Sequence, residues 1–244
     1  MEYDVERIVG GMGSTDAAER LSAAAALEEA LRSELEAGRG DWGGLVEQIL
    51  PPLLDGIGDR HKGVQVHSAN CLEFLLYQSE KVAPALRAAM AGPDGWRAWG
   101  AALVAARVGY WYPEMAPALA GALGSTDRDV RWAAAGFCLQ LGRNWPEAVA
   151  LVKETLCAGE PLGRKMAAYC LGAMGQYASM EPELAGRLQD SDRDVRRAVV
   201  LAIDKLPAVS PAVAAQVEAL RADPDEFVRR TAAVVAAKLG SHGR

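Results

Sequence analysis

Apolar positions along this chain fall three and four residues apart within segments about a dozen residues long. Val195, Val199, Ala202 and Leu206 make one such stripe, and Val228, Ala232, Val235 and Leu239 make another. That spacing is one face of an α-helix, so the pattern predicts helices and gives no strand-like alternation. The helices come in pairs. Pro113, Pro146, Pro182 and Pro211 stand near the predicted starts of the first members, where a missing amide hydrogen costs nothing. Gly109, Gly142, Gly175 and Gly240 stand where four of the second members are expected to close.

The same ten-residue signature recurs at Thr126–Ala135, Ser191–Val200 and Pro224–Ala233, reading Asp-x-x-Val-Arg or its near equivalent in each copy. With Glu19, Val64, Trp96, Val130, Gly163, Val195 and Val228 as reference points, the intervals are 45, 32, 34, 33, 32 and 33 residues. A fixed period of this length marks stacked supersecondary units, because a lone helix pair cannot bury both its stripes. Asp16, Asp127, Glu160, Asp192 and Asp225 lie three residues before the reference points, and Arg20, Arg131, Arg164, Arg196 and Arg229 lie four residues after those acids. The acids are expected to cap the second helices, and the arginines to form a structural ladder with them and with the neighbouring turn.

The Asp-x-x-Val-Arg-x-x-Ala-Ala pattern resembles the HEAT repeat, in the short form known from phycobilisome lyases. The resemblance implies an all-α solenoid, a right-handed superhelix of about seven two-helix repeats with the second helices along its concave side. It extends over essentially the whole chain, 1–244, as a single repeat domain, with second helices beginning near 19, 64, 96, 130, 163, 195 and 228. Two copies depart from the pattern. Gln65 and His61 replace the arginine and acid of the Val64 copy, and Pro93 replaces the acid before Trp96, with Asp94 adjacent. The long first interval holds an extended helix through Glu36 and the glycine-rich loop Gly38–Gly44.

Composition narrows the function. Half of the 244 residues are hydrophobic and 24% are charged, as in an ordinary folded protein. No apolar run approaches the roughly 20 residues of a membrane span, and the acidic start at Met1–Glu6 is unlike a secretory leader, so a cytoplasmic protein is expected. Cys71, Cys138, Cys157 and Cys170 lie in apolar patterns without a CxxC pair and are expected to be buried, reduced thiols. His61, His67 and His242 have no partner at ligand spacing, so neither a metal nor a cofactor is expected. There is no GxSxG or Cys–His arrangement, and the Gly10–Thr15 run lacks the lysine of a phosphate loop. Arg39-Gly40-Asp41 matches an adhesion tripeptide by chance. The chain also lacks the His-Glu pairs of the HEAT-like di-iron hydroxylases.

Binding is therefore the expected activity, with a protein as partner. The candidate face comprises Asn70, Trp99, Trp132, Lys165, Tyr169, Arg197, Lys205, Arg230 and Lys238. Tryptophan and tyrosine anchor interfaces beyond their number, and these bases have no built-in acid comparable to those of the ladder. Trp96 and Trp145 are assigned to helix packing. Residues 1–123 hold 17 acids against 10 bases and residues 124–244 hold 15 against 16, so a phosphate-binding surface is disfavoured overall. The alternatives are a DNA-binding protein similar to the HEAT-like alkylation-repair glycosylases and, from repeat type alone, a bilin lyase subunit.

Overall fold

The computed structural model describes residues 4–37, 43–175 and 180–242; Arg39-Gly40-Asp41 lies outside them. Every regular element among these residues is helical. The first helices of the pairs are α1 (Val5–Met12), α3 (Gly43–Gly56), α5 (Val82–Met90), α7 (Met115–Leu123), α9 (Pro146–Ala158), α11 (Glu181–Ala185) and α13 (Pro211–Ala219). The second are α2 (Ala17–Glu36), α4 (Lys62–Leu76), α6 (Gly95–Arg107), α8 (Arg128–Leu141), α10 (Pro161–Met174), α12 (Arg193–Ile203) and α14 (Glu226–His242). Among the described residues this makes seven two-helix repeats. No described helix is long and apolar enough to cross a membrane.

The helices gather into two compact units, Met1–Ala118 and Leu119–Arg244. In the first unit, α4 packs between α2 and α6 while α3 packs on α1 and α5. In the second, α8, α10, α12 and α14 succeed one another as neighbours, and α11 joins α9 to α13. Each unit thus has a layer of first helices against a layer of second helices. The first three positions of each predicted stripe are buried, Val195, Val199 and Ala202 of α12 and Val228, Ala232 and Val235 of α14, whereas the fourth, Leu206 and Leu239, is half-buried. A small residue sets the spacing within the layer of second helices. A Cβ on Gly172 of α10 would lie 2.7 Å from the Ala202 Cα of α12, so those helices approach closely because position 172 has no side chain.

The caps explain where the second helices begin. Asp16, Asp127, Asp192 and Asp225 accept hydrogen bonds from amides of the first turn, satisfying donors that a helix start leaves unpaired. Asp94 does the same for Trp96 and Arg97, so the cap of that repeat has moved one residue. Glu160 makes no side-chain cap bond, nor does His61.

The closing glycines need correction. Gly109 alone has a positive φ, of 81°. Gly142 and Gly175 end their helices in right-handed geometry, and Gly240 lies inside α14. Cys157 is exposed, whereas Cys71, Cys138 and Cys170 are buried and free. Burial pushes the Cys138 thiol up to about 12, which keeps it unreactive.

Candidate functional site

At the repeat junctions the arginine ladder takes a form that differs from its expected one. Where the acid is an aspartate it is occupied by backbone amides, and the arginine four residues on turns to other groups; Arg164 does the same although Glu160 makes no cap bond. Arg196 sends its Nε and Nη2 to the two carboxylate oxygens of Asp223, both at 2.8 Å, and its Nη1 to the Asp190 carbonyl at 2.9 Å. Arg164 grips Asp190 in the same forked way at 2.9 and 2.7 Å, and Arg20 grips Asp59 at 2.5 and 3.1 Å. Each acceptor aspartate stands two residues before the next repeat's capping position and also takes the amide hydrogen at that position. One carboxylate therefore folds its own turn and fastens the preceding helix, with the bidentate geometry for which guanidinium is suited.

Asp59, Asp190 and Asp223 were not singled out from the sequence. Their signal is the spacing Asp190-x-Asp192 and Asp223-x-Asp225. Arg196 holds the Asp223 carboxyl below its usual range. Burial pushes Asp190 up, but the bonds from Arg164 and the Asp192 amide outweigh it and the net shift is downward. Arg131 and Arg229 retain only the carbonyl half of the motif, bonding Ser125 and Asp223 with Pro224 respectively. Gln65 keeps that half too, donating to the Asp59 carbonyl. The ladder residues thus build the stack and leave the middle of each helix to other work.

The middle of the second helices in the Leu119–Arg244 unit carries a different surface. The apolar stripe falls at 0, 4, 7 and 11 from each reference point, whereas Trp132 lies at 2, Tyr169, Leu201 and Val234 at 6, and Lys238 at 10, with Lys205 at the same offset in the turn just past α12. These are neighbouring turns of one face. Trp132 is 44% exposed, Leu201 43%, Phe227 56% and Val234 59%. The Trp132 ring meets the Tyr169 ring edge-on with centroids 4.9 Å apart. Lys205 Nζ sits 4.8 Å from the centroid of the Tyr169 ring. The Arg197 guanidinium lies 5.9 Å from the centre of Phe227 and bonds Thr231 Oγ1 at 3.3 Å. Leu201, Phe227 and Val234 are not among the candidates read from the sequence. Their offset from the core positions was the available signal.

The remaining candidates divide. Lys165 pairs with Asp194 at 3.2 Å, Lys238 with Asp204 at 2.7 Å, and Arg230 with Glu226 one turn earlier. The expected strip of uncommitted bases is therefore corrected: three of its five members hold carboxylates, because the neighbouring helix, or in Arg230's case its own, presents an acid at the right height. Trp99 is packed at 8% exposure while Trp96 is 51% exposed, the reverse of the expected roles. The helix phase decides this, since Trp96 stands in the first turn and Trp99 points into the layer. Trp145 is half-buried. Asn70 is part of a polar network in the other unit, donating to Glu28 at 3.0 Å and accepting from Arg107 at 3.1 Å.

Among the described residues no group of three His, Cys, Asp or Glu side chains could hold a metal ion. No curated protein matches the chain in sequence. One engineered protein of known structure is 17% identical over 98% of this chain and 98% of its own, with a TM-score of 0.36. Another is 18% identical over 98% of this chain and 69% of its own, with a TM-score of 0.41. A designed armadillo repeat protein is 17% identical over 97% of this chain and all of its own, with a TM-score of 0.37. The family model of HEAT repeats matches residues 149–238, the stretch in which both the Asp190 and Asp223 rungs occur, and it marks that stretch as HEAT repeats.

Proposed function

We propose that the chain is a protein-binding scaffold whose contact surface is the mid-helix face of α8, α10, α12 and α14. The observation that carries this reading is the row of exposed apolar side chains, Trp132, Leu201, Phe227 and Val234, on helices whose core positions are already filled. Leaving such groups in water forgoes about 1.5–3 kcal/mol of burial for each large side chain. A contiguous patch of them marks an interaction surface. Nucleic acid is the poorer partner. Asp194, Asp204 and Glu226 hold three of the nearby bases, so few cations remain to neutralise phosphates. Free buried thiols at Cys71, Cys138 and Cys170 agree with a cytoplasmic setting.

The test compares the full chain with Trp132→Ala plus Phe227→Ala as baits in the native host. Proteins held by the wild type and lost by the variant, at an unchanged melting temperature, are the expected result. Retention of every partner by the variant would remove this face from the function. Submicromolar duplex binding at about 150 mM salt, where nonspecific phosphate contacts are weak, would move the assignment to DNA.

A further inference from the structure

Two cations on this face differ from the rest. Arg197 and Lys205 have no carboxylate partner among the described residues; their charged ends lie over the rings of Phe227 and Tyr169. An exposed cation–π contact is weaker than a charge-assisted hydrogen bond. A carboxylate arriving from outside therefore finds both cations oriented by the rings and still short of a counter-charge. Their neighbours Lys165 and Lys238 are already tied to Asp194 and Asp204. Between the two cations stands exposed Leu201, with Trp132 to one side and Val234 to the other.

We propose that this face docks an extended acidic segment of a partner protein, with carboxylates at Arg197 and Lys205 and apolar residues on Trp132, Leu201 and Phe227. The proposal rests on the protein-binding reading above and adds the chemistry of the partner. Packed helices lie about 10 Å apart and an extended chain advances about 3.3 Å per residue. A segment crossing from α8 to α14 is then about nine residues long and meets a new helix at about every third residue. Lys205 reaches back over Tyr169 of α10 and Arg197 forward to Phe227 of α14, with Leu201 between them, so an alternation of acid and apolar side chains fits the order in which a crossing segment meets them. A phosphate backbone does not, since its unbroken charge would also lie along Asp194, Asp204 and Glu226.

The full chain is used to select from a display library of random peptides of about this length, and binding of labelled synthetic copies is followed by fluorescence anisotropy. The selected peptides are expected to be net acidic with interspersed apolar residues. Arg197→Glu plus Lys205→Glu is expected to weaken them at least about tenfold, and a peptide with lysines for its acids to recover binding to that variant. Neutral or basic selected peptides, indifference to the charge reversal, or tighter binding of duplex DNA in the same assay overturns the proposal. Peptides of the wrong charge that still depend on Trp132 and Phe227 would refute the acidic partner but leave the docking face standing. Selected peptides indifferent to those two residues, or no selected peptide at all, would refute both.

Discussion

In the Met1–Ala118 unit a carboxylate network joins the second helices at mid-height, whereas in the Leu119–Arg244 unit the more buried forked ion pairs stand at the turns. Glu28 of α2 accepts from His67 at 2.7 Å and from Asn70 at 3.0 Å, both on α4. Asn70 in turn accepts from Arg107 of α6, whose Nε is 2.6 Å from Glu73. Among the described residues one forked rung, Arg20–Asp59, is present there, and Gln65 stands where the next arginine would be. The other unit has two such rungs, Arg164–Asp190 and Arg196–Asp223. The difference teaches that fastening a stack at its turns frees the middle of its helices. In the first unit the mid-helix face is taken up by the Glu28 network, and in the second it displays aromatic and aliphatic groups beside the more exposed Arg197–Thr231 and Lys238–Asp204 contacts.

The sharpest way to break this comparison is to remove a rung. Asp190→Ala strips Arg164 of its partner and the Asp192 amide of its acceptor, at a site where the carboxylate is only 2% exposed. A loss of about 2–4 kcal/mol is expected by denaturant titration, since breaking a buried pair leaves an uncompensated charge. A loss under about 0.5 kcal/mol, the range of an ordinary surface change, would mean the turns do not hold the stack.

Acid tests the same struts together. The Asp59, Asp190 and Asp223 carboxyls are held below their usual values. Each therefore contributes stability that is complete above the unfolded value of about 4 and lost as pH falls through the folded value. The wild type should lose stability below about pH 4, and Asp190→Ala should show a shallower loss over that range. Burial gives Glu73 the opposite sign, raising its carboxyl, so that group contributes stability on the acid side that fades as pH rises through its folded value. An unchanged acid slope in Asp190→Ala would detach the carboxylate from the rung's energetics.

Smaller effects follow. Glu28→Ala should cost about 1–2 kcal/mol through the lost bonds to His67 and Asn70, and it should leave peptide binding by the other unit untouched. A binding loss with intact folding would tie the two surfaces together. Arg197→Ala should change stability by less than about 0.5 kcal/mol, since its partners are one hydroxyl and one ring face, while weakening acidic peptides. A larger stability loss would make Arg197 another strut instead of a contact residue.

Much of the helical architecture was legible because it follows from local and periodic facts. Proline at first-helix starts, aspartate at caps and an apolar period of three and four are each enforced by backbone hydrogen bonding or by the pitch of the helix. The site was less legible. Trp96 and Trp99 are three residues apart and of one type, and only the phase of α6 against its neighbours exposes one and packs the other.

What the sequence by itself determined is the repeat: its length, its two helices, its capped acidic turn and its apolar stripe, all consequences of local backbone hydrogen bonding and of the helix pitch. What only the tertiary structure decided is which charge meets which. Arg196 has Asp192 four residues before it but bonds Asp223, twenty-seven residues away, because the nearer carboxylate is already taken by amides of its own helix start. Lys165 and Lys238 look uncommitted along the chain yet find acids on the adjoining helix. Arg197 and Lys205 find rings instead, since the height at which stacked helices meet, and not spacing along one of them, sets which side chains come within reach.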